Sequence, residues 1–320
     1  MDKFLNLEQV KYIALYTGSN SKAQCACKCP YCLLDCWGKR EPENGNIGQV
    51  YKIFELLPNL RNVFLLGNPD PCIDTDFCNQ IAKECNKRNI NVVFYTSGIG
   101  GVKVLEKLFD GLDKKLSSVS FSLDSLDNNK LAILKGNPNY TIEEITKCFN
   151  WCCERKVKSC AYVTVWKLNA DDDFNEYYNY CKSHGVSEFT MFVGCNTIDS
   201  SLGEEISLEQ GIEIRNKYKN IFSIASTVLP KESEFVPICQ NKDSGRLFCY
   251  LTKDKIMATC CDYFATANPS LFCELQNRKI PLYCKKISQC PCSSLVRPLN
   301  ISKAYKWGCI HYRSKTNQHH

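Results

Sequence analysis

Between residues 11 and 193 the sequence alternates short strand-like runs with helical ones, and that alternation leaves few folds open to it. Strand-like runs fall at residues 11–18, 62–66, 91–95, 118–123, 161–166 and 188–193. Helical spacing fills the gaps. Ile47, Val50, Phe54 and Leu57 share one helical face, and Pro58 ends that helix. Residues 74–88 place Phe77, Ile81 and Cys85 together, and residues 102–112 follow the same period. Thr141-Ile-Glu-Glu144 has the order of a capping box and opens a helix through Trp151, and one more helix begins near Asp171. Six strands joined in the same sense by helices predict a parallel sheet with crossover connections, either open or curled into a barrel. Such sheets place their chemistry at the carboxyl ends of the strands, where a cysteine loop, Gly67, Ser97 and Asp124 all fall.

That cysteine loop reads Cys25-Ala-Cys-Lys-Cys-Pro-Tyr-Cys32, four thiols in eight residues. Thiols so close together point to a metal before they point to staples. Cys25, Cys29 and Cys32 have the spacing C-x3-C-x2-C, whereas Cys27 and Cys36 fall outside it. Three thiolates can hold three irons of a cubane cluster and leave the fourth iron open to a ligand. Structural zinc is the competing reading, but it prefers four ligands in paired C-x2-C units. The sequence shows no apolar secretion signal, which argues for a reducing, cytoplasmic location and against disulfides. In that setting 23 cysteines read as metal ligands plus plain buried thiols. The net charge of +6 favours neither a nucleic acid nor a membrane surface as partner, and no apolar run is long enough to span a bilayer.

The three-cysteine spacing, with Tyr31 just before the last ligand, resembles the signature of the radical S-adenosylmethionine (radical SAM) enzymes. The resemblance implies a six-stranded partial (β/α) barrel over residues 1–195. It also implies a 4Fe-4S cluster on Cys25, Cys29 and Cys32 whose open iron chelates SAM, and cleavage of SAM to a 5′-deoxyadenosyl radical after reduction by a flavodoxin- or ferredoxin-type donor. The strand ends extend the likeness. Gly67-Asn-Pro-Asp-Pro71 is similar to the family's Gly-Gly-Glu-Pro motif, so Gly67, Asn68, Pro69 and Asp70 are expected near the methionine end of SAM, although Asn68-Pro69-Asp70 departs from the usual pattern. Thr96-Ser97-Gly98 resembles a Thr-Asn-Gly found after the third strand, and Ser122-Leu-Asp-Ser125 resembles the Ser-Leu-Asp-Gly of peptide-modifying members. Ser122 and Asp124 alternate onto one side of their strand, and the resemblance implies that together they hydrogen-bond the carboxylate and ribose of SAM. Asn169 matches a recurrent asparagine near SAM and equally suits a loop. Lys135, in a Lys-Gly pair where relatives carry Arg-Gly, reads as a solvated surface charge.

From residue 196 to 320 the alternation weakens and the cysteines return. Ser207-Leu-Glu-Gln210 caps one more helix, and residues 250–260 read as a β-hairpin turning at Lys253 to Lys255. This half resembles the SPASM and twitch extensions, which carry auxiliary iron-sulfur clusters. By that resemblance Cys239, Cys260, Cys284, Cys290, Cys292 and Cys309 are candidate ligands of at least one auxiliary cluster, while Pro281 and the short Cys290-Pro-Cys292 spacing depart from the pattern. Zinc suits these short pairs as well. The function implied is hydrogen abstraction from a peptide, giving a crosslink, an epimer or an oxidised side chain, with Cys195 as a candidate hydrogen donor for epimerisation. A small metabolite is the alternative substrate, and a non-catalytic zinc protein is the alternative of another class. A first strand near residue 11 leaves no room before it for a leader-binding domain, so a separate recognition protein or a direct groove is expected.

Overall fold

The computed structural model describes residues 4–17, 25–30, 45–66, 70–193, 206–226, 235–237, 246–259, 273–280 and 312–314. The six expected strands are all present as β1 (Tyr12–Tyr16), β2 (Asn62–Leu65), β3 (Asn91–Thr96), β4 (Ser117–Ser122), β5 (Lys158–Val165) and β6 (Glu188–Val193). Helices α1 (Ile47–Leu56), α2 (Thr75–Asn86), α3 (Gly101–Leu108), α5 (Ile142–Glu154) and α6 (Phe174–Ser183) stand where the apolar spacing predicts them. A further helix, α4 (Asn128–Lys135), lies ahead of α5 in the β4–β5 crossover. Beyond β6 come α7 (Leu208–Tyr218), β7 (Ser223–Ser226), β8 (Phe235–Pro237), β9 (Arg246–Leu251), β10 (Ile256–Thr259), β11 (Cys273–Glu274) and β12 (Tyr312–Ser314).

One ten-stranded sheet runs in the order β11-β10-β9-β1-β2-β3-β4-β5-β6-β7, and β8 pairs with β12 apart from it. Every neighbouring pair from β9 across to β7 is parallel, and β9, β10 and β11 pair antiparallel. The expected hairpin is therefore β9–β10 with its turn at residues 252–255, and its first strand extends the sheet beside β1.

Strand alternation sorts the sheet into two faces. Phe94 and Phe121 turn to the helices, where their rings meet Phe109 and Phe149, and Leu15, Leu65, Val163 and Met191 are buried in the same core. On the opposite face Tyr12, Phe64, Tyr95 and Tyr162 make successive ring contacts across the strands. Capping fixes where the helices start. Asn46 and Gln49 form a reciprocal capping box on α1, and Ser207 and Gln210 do so on α7. Thr141 accepts from the Glu144 amide at 3.4 Å as its sequence order predicts, but the Glu144 carboxylate pairs with Lys147 rather than returning a bond. Cys78, Cys85, Cys148, Cys152 and Cys181 are fully buried, the plain core thiols expected of so many cysteines, and burial pushes Cys85 up to about 12. No helix among the described residues is long and apolar enough to cross a membrane.

Candidate active site

The carboxyl ends of β1, β3, β4 and β5 bring the candidate residues together. After β1 the loop of residues 25–30 carries Cys25 and Cys29 half-buried and Cys27 buried. Cys27 is in hydrogen-bond contact with both neighbours; its thiol holds Cys25 below the ordinary thiol range, and the same two contacts push Cys27 far up. Sulfur donors on a loop suit an iron-sulfur cluster in kind. Cys32, the third expected ligand, lies outside the described residues, and within them no group of three donors is arranged to hold a metal.

Asp70 and Ser97, predicted from two separate strand ends, meet directly. The Asp70 carboxylate accepts from the Ser97 amide and hydroxyl, each at 2.6 Å, from the Thr96 hydroxyl at 2.5 Å and from the Cys72 amide at 2.9 Å. Three of these donors, from Thr96 and Ser97, fix the β3 end against the segment after β2, and the Cys72 amide closes a turn within that segment.

Ser122 and Asp124 also act on one group, and it is Lys135. Its ammonium donates to the Ser122 hydroxyl at 2.6 Å and pairs with the Asp124 carboxylate. The two side chains of that ion pair are 2% and 0% exposed, which corrects the reading of Lys135 as a solvated surface charge. The physical reason is α4: Asp127 caps its first turn and Gly136 ends it in the left-handed region at φ 56°, so Lys135 is carried into the sheet end instead of into solvent. Burial works to lower the Lys135 pKa, but Asp124 opposite it, aided by Cys29, raises it above the ordinary lysine range. The other Asp124 oxygen accepts from the Thr164 amide at 2.7 Å. Asn169 is buried and donates to the carbonyls of Asp124 and Thr164, while its own oxygen accepts from the Trp166 amide at 2.7 Å. Its amide thus ties the β4 and β5 ends together.

Lys135 and Tyr140 are the two residues whose importance the sequence did not reveal. Tyr140 is buried; its hydroxyl is shared between the Ser97 and Ser122 carbonyls, each 2.6 Å away, and its ring lies 5.6 Å from the Lys135 ammonium. The Asp127 and Gly136 caps were the available signal for α4, and with it for Lys135. Of the remaining candidates, Tyr31, Gly67, Asn68, Pro69 and Cys195 lie outside the described residues, as do Cys239, Cys260, Cys284, Cys290, Cys292 and Cys309. Cys249, by contrast, is a buried core thiol on β9.

The profile of the Radical SAM superfamily matches residues 20–181, just over half of the chain. No curated protein sequence is similar enough to match. Among solved structures, SuiB of Streptococcus suis bound to S-adenosylmethionine has a TM-score of 0.52 at 14% identity over 82% of this chain, and the chain spans about half, 53%, of the length of that one. A radical SAM methyltransferase of Sphaerobacter thermophilus gives 0.48 at 17% identity, over 65% of this chain and 64% of its own. The enzyme anSMEcpe with bound AdoMet and the Kp18Cys peptide gives 0.48 at 14% identity, over 67% of this chain and 63% of its own.

Proposed function

The chain belongs to the Radical SAM superfamily and is an enzyme of it, and we propose that it modifies a peptide. When bound, a 4Fe-4S cluster on Cys25, Cys29 and Cys32 together with SAM supplies a 5′-deoxyadenosyl radical that removes a hydrogen atom from an unactivated carbon. The chain's own part is to hold SAM, orient it and keep water away.

The observation that carries the SAM-holding part of this reading is the continuous polar line at the sheet end, from Asp70 through Ser97, Tyr140, Ser122 and Lys135 to Asp124, beside the cysteine loop. In this reading Ser97 and Ser122 face the amino-acid and ribose parts of SAM, with Gly67, Asn68 and Pro69 completing the methionine end. Lys135 keeps the charge of Asp124 neutralised so that neither group needs water. The Ser122-Leu-Asp-Ser125 motif and the late cysteines support a peptide substrate, an auxiliary cluster on residues among Cys239, Cys260, Cys284, Cys290, Cys292 and Cys309, and the division into a barrel over residues 1–195 and an extension over 196–320. A flavodoxin- or ferredoxin-type donor and a separate recognition protein complete the proposed partners, in the cytoplasm.

The test is mass spectrometry of short peptides encoded beside this gene after anaerobic incubation with the loaded enzyme, SAM and reductant. A mass change confined to one residue of one peptide is expected. Unchanged peptides, with conversion of a small metabolite from the same reaction mixture, would contradict the peptide reading.

A further inference from the structure

We infer that the segment Lys135–Tyr140 is the positioning element that seats the cysteine loop against the SAM-facing strand ends, with Gly136 as its contact point. The inference rests on the proposed site, but its observations are contacts of the chain itself. The Lys28 amide donates to the Lys135 carbonyl at 2.8 Å, and the Cys29 sulfur lies 3.9 Å from the same oxygen. The Asn137 side-chain amide donates to the Ala26 carbonyl at 3.2 Å. Between these two bonds the loop backbone presses on Gly136: a Cβ there would sit 2.2 Å from the Lys28 carbonyl oxygen and 2.7 Å from its carbon. Backbone atoms cannot give way as a flexible side-chain end can, so only glycine lets the loop approach this closely.

The same few residues also reach the other half of the site. The Lys135 ammonium holds Ser122 and Asp124, and the Tyr140 hydroxyl bridges the carbonyls ending β3 and β4. One short connection therefore grips the cysteine loop by its backbone and the strand ends by its side chains. A shift of the loop relative to Ser97 and Ser122 requires these bonds to break together. None of the Lys135–Tyr140 residues supplies a sulfur ligand, so their effect is on where the ligands stand.

The experiment compares Gly136→Ala and Asn137→Asp with Gly111→Ala as a control. Gly111 also has a left-handed φ of 68°, but the atom nearest its added Cβ is the flexible end of Lys83, so it carries the backbone strain without the clash. Asn137→Asp keeps the acceptor used by the Asn139 amide and loses the donor to Ala26. Two readouts are taken: iron bound after anaerobic reconstitution, and the rate at which iodoacetamide alkylates Cys25 and Cys29 in metal-free protein. The wild type and Gly111→Ala are expected to load iron equally. Gly136→Ala should lose about tenfold in cluster affinity, the scale found for residues that orient metal ligands, and both loop variants should be alkylated several-fold faster. Equal iron and equal alkylation in Gly136→Ala and Gly111→Ala would overturn the inference. Failure of the wild type itself to take up iron would instead sink the reading of the site.

Discussion

At the scale of single residues, the site contains a buried ion pair, Lys135–Asp124. Both groups are buried, so removing one leaves the other charge without compensation, which typically costs about 3–5 kcal/mol. Lys135→Met is therefore expected to lower the urea midpoint strongly, while the double variant Lys135→Met with Asp124→Asn, which removes the charge and keeps the acceptor for the Thr164 amide, recovers most of the loss. Equal destabilisation by the single and double variants would show that the pair is not what holds the β4 end. The pH dependence has a definite sign. The folded pKa of Lys135 is raised, so its stabilising contribution is fully present below the ordinary lysine value and disappears only as pH climbs through the raised one. Unfolding followed from neutral to alkaline pH should show this contribution intact up to about pH 10, the unperturbed lysine range, and lost above it.

At the scale of elements, the hairpin is joined to the barrel by the Gln49 side chain as well as by β9. Gln49 on α1 donates to the carbonyls of Thr252 and Lys255 in the turn, at 2.8 and 3.0 Å. Gln49→Glu removes both donors at a cost of about 1 kcal/mol for each bond and keeps the acceptor that closes the α1 capping box. Amide exchange over residues 246–259 should then accelerate while β3 and β4 stay protected; unchanged protection of the hairpin would mean that its pairing with β1 suffices. Elements with a strong apolar period were legible in the sequence, which is why β1 to β6 and their main helices stand where expected. Two were not. In α4, Asn128, Asn129 and Lys130 open a helix with a weak apolar face, and β7 is four residues long and begins and ends in serine. Motif reasoning brought Asp70, Ser97, Ser122 and Asp124 to one end of the sheet. It did not find Lys135 and Tyr140, because their roles depend on where α4 ends and on bonds to backbone carbonyls, which leave no mark in residue type.

At the scale of the whole molecule, the parallel sheet turns a scattered set of sequence positions into one site. Residues from position 25 to position 169 meet because every strand from β1 to β6 ends on the same side. The sheet also continues beyond the six strands at both edges, with β7 beside β6 and β9 beside β1, so the second half of the chain braces the strand that feeds the cysteine loop. In the proposed function this loop holds a cluster with an open iron that meets SAM at the ends of β3 and β4. Electron paramagnetic resonance of the anaerobically reconstituted, dithionite-reduced protein tests it, recorded with and without SAM and paired with an assay for 5′-deoxyadenosine. The wild type should give a 4Fe-4S signal that shifts when SAM is added, and should release 5′-deoxyadenosine; the variant with Cys25, Cys29 and Cys32 all changed to alanine should show neither. Uptake of zinc without iron by the wild type, or SAM cleavage surviving in the triple variant, would contradict it.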